Sequence, residues 1–213
     1  MILSIPTEGL LALAFVLLVV LAGAATPWSR RPPRPSPEAG RAGERRVQAV
    51  VGRSGLPAMH DVYLRTDSGA TQIDHIVRAG RTIFILETKH FGGTCYGRAY
   101  ERTWTHVNRG AKRRFYNPLL QNDGHVAAVR RAVGWGCRLR PYVVFSGSAA
   151  FPSGMPEGVL GLGELDDLLS RASRSRLPSL LGVLGWRKLE RRAETAETAG
   201  NAHRRSLARA GAR

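Results

Sequence analysis

Along the 213-residue chain the spacing of apolar positions changes character three times. Residues 9–25, GLLALAFVLLVVLAGAA, carry no charge; as a helix they reach about 26 Å, slightly less than a hydrocarbon core of about 30 Å. The four residues before Pro6 or local thinning of the bilayer make up the difference, and a single membrane-spanning helix is the expectation. Residues 26–42 follow with prolines at 27, 32, 33, 35 and 37, a composition that reads as a semi-rigid extended linker. From residue 43 the pattern becomes that of a folded core. Val47, Val50 and Val51 recur at helical spacing over 43–52, with Glu44 three residues before Val47 on the inward side of that helix. Short runs at 59–64, 71–77 and 83–89, separated by turn-rich segments, predict three sequential strands that pair as antiparallel neighbours. Two more short strands are expected at 94–97 and around 104–107.

Asn117 before Pro118 is a helix start, since Asn caps free amides and proline has none to satisfy at the first helical position. The helix runs over 118–133, with Leu119, Val126, Val129 and Val133 as its apolar stripe and Gln121 and His125 together on another face. Residues 142–145 and 159–162 read as buried strands, and Leu165, Leu168 and Leu169 as a closing helix. The order implies an α/β domain over 43–170, a mixed β-sheet flanked by helices with an N-terminal transmembrane helix, and not a regular doubly wound fold. Beyond 170, Leu180, Leu181, Val183, Leu184, Trp186 and Leu189 beside Arg187, Lys188, Arg191 and Arg192 allow a basic amphipathic helix that lies on an anionic membrane or on DNA. The rest of the tail reads as frayed.

Charge adds a partner class. Lys and Arg number 32 against 16 acidic residues, a net charge of +16, which favours nucleic acid or an anionic membrane surface. Residues 171–213 alone hold eleven basic and three acidic residues, half of the excess, so a solvated basic tail competes with a basic binding surface. Arg30, Arg31, Arg34, Arg41, Arg45 and Arg46 follow the apolar run, and the positive-inside rule then puts the globular part in the cytoplasm, at the cell membrane, on a single-pass anchor. The alternative is a cleaved signal peptide: Ala22, Gly23 and Ala24 permit cleavage, but MILSIPTE lacks the positive charge such a peptide carries before its apolar run. Cys95 and Cys137 are too few and too far apart for a disulfide framework or a paired-cysteine zinc site. The six histidines form no zinc-hydrolase pattern. A metal is therefore sought among oxygen ligands.

In the strand 83–89, Ile83, Ile85, Glu87 and Lys89 share one face and Phe84, Leu86 and Thr88 the other. An acid and a base at the end of a strand apolar on both faces need partners or a metal. Asp74 in the preceding strand comes beside Glu87 if the two strands pair. Two carboxylates with a backbone carbonyl suit Mg²⁺ or Mn²⁺, and Lys89 can orient or help deprotonate a bound water. Taken alone, the acid–base pair reads as a solvated strand-end salt bridge. Lys112, Arg113 and Arg114, followed by Phe115 and Tyr116, form a candidate nucleic-acid contact, because bases stack on aromatics while cations neutralise phosphates; a solvated basic loop with Phe115 in the core is the equal alternative.

Gly43-Glu44 opening a helix, Gln72-Ile73-Asp74-His75, the run IFILETK at 83–89, Gly92-Gly93, Trp104, and Asn117-Pro118 to Gln121-Asn122 together resemble, in order and spacing, the nuclease-related domain (NERD) family over residues 43–168. The resemblance implies a restriction-endonuclease-like fold related to the PD-(D/E)xK nucleases. By that likeness Asp74, Glu87 and Lys89 match the aspartate and the E-x-K, Glu44 the acidic residue of the first helix, and Gln121 the glutamine of the later helix. Ile73 stands where the motif name has its dispensable proline. The implied activity is metal-dependent hydrolysis of nucleic acid, DNA favoured; the alternative is a catalytically silent module that binds nucleic acid or protein at the membrane, since the fold is known to outlive its chemistry.

Overall fold

The computed structural model describes residues 36–195 apart from positions 68 and 176. The expected membrane-spanning helix at 9–25 and the linker up to residue 35 lie outside the described residues; among the described residues no helix is long and apolar enough to cross a membrane.

The first described helix, α1 (Pro37–Arg53), starts six residues earlier than the valine spacing alone implied. Ser36 caps it, its side chain accepting from the Ala39 amide at 3.1 Å, and Pro37 sits in the first turn, where a missing N–H costs nothing. Prolines that end a helix elsewhere thus begin one here. Three strands follow as an antiparallel meander, β1 (Ala58–Thr66), β2 (Gly69–Ala79) and β3 (Thr82–Lys89). Next come β4 (Thr94–Tyr96), β5 (Thr103–Asn108) and β6 (Ala111–Tyr116), which form a separate three-stranded sheet in the order β4-β5-β6. The expected helix α2 spans Pro118–Val133 and leads to β7 (Arg138–Phe145), parallel to β3. Then follow β8 (Val159–Gly161), α3 (Leu162–Arg174), α4 (Leu180–Arg192) and a two-residue strand β9 (Glu194–Thr195).

The main sheet has the order β8-β7-β3-β2-β1-β9. It is mixed, and β3 lies inside it, buried over most of its length as the two apolar faces of IFIL require. Helices α1 and α3 cover one face through Val47, Val50, Val51, Leu165 and Leu169 packed on Phe84, Leu86 and Val144. Helices α2 and α4 cover the other through Val129, Val133, Trp186 and Leu189 packed on Ile83, Ile85 and Ile76. A third cluster joins Trp104, Cys95 and Phe91 to Phe145 and Val143, which fastens the small sheet to the end of β3 and β7.

Two expectations are corrected here. The basic run Lys112-Arg113-Arg114 is not a loop but the strand β6, paired with β5. Its polar composition hid a period-2 alternation in which Arg113 and Phe115 turn inward. The amphipathic helix of the tail does not offer its whole apolar face to a membrane or to DNA: Trp186 and Leu189 of α4 are buried in the core against α2.

Candidate active site

At one end of the main sheet the meander departs from a regular ladder. The β1–β2 pairing passes from His60↔His75 to Val62↔Ile73 and skips Asp61 and Asp74, which stand opposite one another. Asp61 there takes φ +52°, a left-handed conformation that Asp tolerates better than most residues. Met59 and Val62, and likewise Ile73 and Ile76, pack into the same cluster although each pair is three residues apart. Strict alternation forbids that, so the pleat of both strands changes phase at the two aspartates. Continuing the β2–β3 register, His75↔Leu86, by one residue sets Asp74 opposite Glu87. Asp74 Oδ2 accepts the Thr88 backbone N–H at 2.7 Å, so a side chain takes over where the backbone ladder stops.

Glu87 is 3% exposed and engaged on both oxygens. Lys89 Nζ lies 2.5 Å from Oε1, and His125 Nε2 lies 3.1 Å from Oε2. Lys89 Nζ also donates to Gln121 Oε1 at 3.1 Å. Gln121 and His125, one helical turn apart on α2, therefore both face the end of β3. Thr71 Oγ1 lies 2.9 Å from His125 Nδ1; with the hydroxyl donating there, the Nε2–H tautomer is left to donate to Glu87.

The position of α2 follows from its two asparagines. Asn117 is fully buried; its Oδ1 caps the helix at the Leu119 amide, 2.9 Å away, while its Nδ2 donates to the carbonyls of Ala99 at 2.9 Å and Glu101 at 2.7 Å. Asn122 donates from Nδ2 to the carbonyls of Ile85 at 3.1 Å and Tyr142 at 3.0 Å, bracing the helix against β3 and β7. Glu44 arrives from the other face of the sheet. A Cβ on its neighbour Gly43 would lie 2.6 Å from His90 Cβ and 2.7 Å from Ser146 Oγ, so only glycine lets α1 approach this closely. Glu44 is half-buried, and its charge reaches Asp74.

These surroundings drive the two carboxyls apart. Burial pushes Asp74 up to about 7, aided by the charge of Glu87 and of Glu44 and opposed by the Thr88 amide and Lys89. Burial would raise Glu87 as well, but the hydrogen bond from His125 and the charge and hydrogen bond of Lys89 outweigh it and hold its carboxyl below the ordinary range. Such a split between neighbouring acids is characteristic of sites that handle protons.

A groove of about 320 Å³ opens beside this cluster, lined by Lys89, His90, Gln121, Arg113, Phe115 and Tyr116 among others. Larger cavities lie elsewhere; that of about 600 Å³ at the opposite end of β3 is lined by Arg81, Arg138 and Arg140 and by none of the five site residues, whereas the smaller groove takes in Gln121 and Lys89, the latter bonded to Glu87. The chemistry, rather than the volume, marks the smaller groove. Of the three basic residues singled out in the sequence, Arg113 lines it, with Nη1 buried and without a partner among the described residues. Lys112 and Arg114 point the other way.

All five residues expected at the site therefore gather at one end of β3. Sequence reasoning had not assigned a role to His125 or Thr71; the signal for His125 was its place one turn after Gln121. Among the described residues no three His, Cys, Asp or Glu side chains close around one point. Asp74 and Glu87 are hard oxygen donors, and a pair of carboxylates fits a cation that keeps several waters better than one that demands a full protein cage.

Among curated proteins the chain is similar to an uncharacterized protein of Bacillus anthracis, 36% identical over 94 residues, a match that covers 42% of this chain and 44% of that protein's length. No solved structure matches the chain. The family model described as nuclease-related domain matches residues 39–146, from α1 through the end of β7 and so across every residue of the site, and on that match over half of its length the chain belongs to the nuclease-related domain family.

Proposed function

We propose that this protein is a metal-dependent phosphodiesterase that hydrolyses nucleic acid, DNA foremost, while tethered to the membrane by residues 9–25 with its globular part in the cytoplasm. The observation that carries the reading is the convergence of Asp74, Glu87, Lys89 and Gln121 beside a groove that the Arg113 side chain also lines. Asp74 and Glu87 are the residues that would hold Mg²⁺ or Mn²⁺, which when bound supplies a Lewis acid for the phosphoryl oxygen and acidifies the attacking water. Lys89, held between Glu87 and Gln121, keeps a positive charge at the edge of the groove, where it orients water and offsets charge on the phosphate. Gln121 gives its carbonyl to Lys89, and its amide group, which has no other partner among the described residues, would serve a phosphate oxygen or a water. His125 positions Glu87 from behind. Arg113, whose guanidinium lines the groove, suits a phosphate adjoining the scissile one.

The test is cleavage of plasmid and labelled oligonucleotides by the full-length chain in Mg²⁺ or Mn²⁺, with EDTA as control. Lys89→Met should lose about 10²–10⁴-fold in rate, and His125→Ala, which loosens a carboxylate rather than removing it, about 10–100-fold. Absence of cleavage on every substrate topology, with Glu87→Gln indistinguishable from wild type, would sink the enzyme reading. One observation favours the alternative of a catalytically silent binding module: both Glu87 oxygens are already occupied, by Lys89 and by His125. Salt-sensitive nucleic-acid binding without hydrolysis would then be the outcome.

A further inference from the structure

The small sheet has one face in the core and one in solvent. Cys95, Trp104 and Phe115 point inward to the third cluster, so by alternation the outward set is Tyr96 on β4, Thr103, Thr105 and Val107 on β5, and Lys112, Arg114 and Tyr116 on β6. The register aligns Tyr96 with Thr105 and Thr105 with Arg114 in one row, and Thr103 with Tyr116 in the next. Arg114 Nη2 donates to Thr103 Oγ1 at 2.6 Å, which lays the guanidinium along the central strand between the two tyrosine rows. Tyr96 is 46% exposed, Tyr116 49%, and Tyr100, in the turn before β5, 76%. From residue 94 to 116 there are six basic side chains and one acidic, Glu101, and that carboxylate accepts the Arg98 backbone amide in the turn. The outward face itself bears no carboxylate.

A single exposed tyrosine is unremarkable on a protein surface. Two rings rooted on the outer strands of one open sheet, about 12 Å apart at the backbone across two strand spacings and two residues of offset, with the Arg114 guanidinium between their rows, are a different arrangement. Their flat faces suit a partner that offers flat faces in return, together with negative charge. A duplex hides its base faces in the stack and presents phosphates and groove edges; an unpaired strand presents both bases and phosphates. Tyr116 belongs also to the groove that holds Lys89, Gln121 and Arg113, so the open face is continuous with the candidate active site.

We propose that the outward face of the β4-β5-β6 sheet seats single-stranded nucleic acid, with bases stacked on Tyr96 and Tyr116 and phosphates against Lys112 and Arg114, and that it delivers the strand to the groove at Lys89. This rests on the reading that the protein acts on nucleic acid, and it narrows the substrate to an unpaired strand or a duplex end that frays into one.

The experiment is fluorescence anisotropy with the full-length protein in EDTA, using a labelled mixed-sequence DNA strand and the duplex of equal length. The single strand should bind at least about tenfold tighter. The double variant Tyr96→Ala, Tyr116→Ala should weaken single-strand binding about tenfold or more and leave duplex binding alone, while the Tyr→Phe pair, which keeps the rings, should bind like wild type. Lys112→Ala with Arg114→Ala should weaken both and lower the salt slope by roughly one to two. Equal or tighter duplex binding overturns the proposal, as does wild-type affinity in the Tyr→Ala pair at an unchanged melting temperature. Because EDTA removes turnover from the readout, strand binding through these tyrosines without cleavage in Mg²⁺ supports the seat and overturns the nuclease reading. Cleavage of duplex by a protein indifferent to the tyrosine changes does the reverse.

Discussion

At the scale of single residues, the sharpest consequence of the fold is that Asp74 is buried beside another carboxylate. Its folded-state value of about 7 stands above the ordinary 3.8, so the folded protein retains a proton that the unfolded chain releases as pH rises past 4. The stability associated with that proton is complete below about 4 and is lost as pH climbs through about 7. His75, buried and driven down to about 3 by burial and by His60, works in the opposite direction, since its stability is lost as pH falls below the ordinary histidine value. The raw pH profile therefore mixes the two, and the informative quantity is the difference between Asp74→Asn and wild type. Asn retains an oxygen for the Thr88 amide and has no proton to lose. Measured by urea unfolding in EDTA, Asp74→Asn should match wild type near pH 4 and exceed it increasingly up to pH 7, reaching on the order of 2–4 kcal/mol above that. A difference that stays flat with pH would mean that Asp74 is not the buried acid described here. The sequence disclosed Asp74, Glu87 and Lys89 because strand alternation and pairing are local rules. It did not disclose why Asp74 leaves the ladder, which depends on Asp61 across the strand pair, nor that Thr71 would meet His125 from 54 residues away.

At the scale of elements, each helix and strand around the site was legible to the extent that its own residues determined it. The helix α2 was expected over 118–133 and occupies Pro118–Val133, because its cap, first-turn proline and apolar stripe all lie within it. The start of α1 was not legible, since Pro35 and Pro37 look alike in composition and only the cap at Ser36 separates them. The strand β6 was missed because its alternation is of arginines, and an arginine that turns inward is recognised only when the groove it enters is known. Close approach between elements is likewise invisible from one chain segment, and Gly43 shows it best. Gly43→Ala forces α1 away from His90 and Ser146, where a Cβ would lie within 2.7 Å of both, and should cost about 1–3 kcal/mol by overpacking. Gly124→Ala, in the middle of α2 with nothing within 4 Å of a Cβ, should instead stabilise by about 0.5–1 kcal/mol through helix propensity. Thermal melts of the two variants side by side separate packing from propensity: the same substitution in two helices should shift the midpoint in opposite directions.

At the scale of the whole molecule, the question is where the domain ends. Apolar periodicity alone placed that boundary near residue 170, with a basic tail beyond it. In the folded protein α4 completes the layer over β1, β2 and β3: Leu189 is fully buried and Trp186 nearly so, both packed with Val129 and Val133 of α2. Arg78 lies over the Trp186 ring at 5.9 Å, and Arg192 Nη1 donates to the carbonyls of Arg131 at 2.8 Å and Ala132 at 2.7 Å near the C-terminal end of α2. A basic helix therefore does structural work that its charge conceals, because an arginine-rich sequence reads as solvated until its two apolar anchors are seen to face a helix that precedes them by more than fifty residues. A chain ending after residue 175 would expose the α2 and β1–β2 surfaces that Trp186 and Leu189 cover, and α2 carries Gln121 and His125. Truncation there should cost more than the roughly 2–5 kcal/mol of a single Leu189→Ala substitution, enough to exhaust the stability of an ordinary domain. A chain ending after residue 195 should melt cooperatively and retain whatever metal or nucleic-acid binding the full chain has. Differential scanning calorimetry on the two truncations decides it: if the shorter one unfolds with the same midpoint as the longer, α4 is an appendage and not part of the core that holds the site.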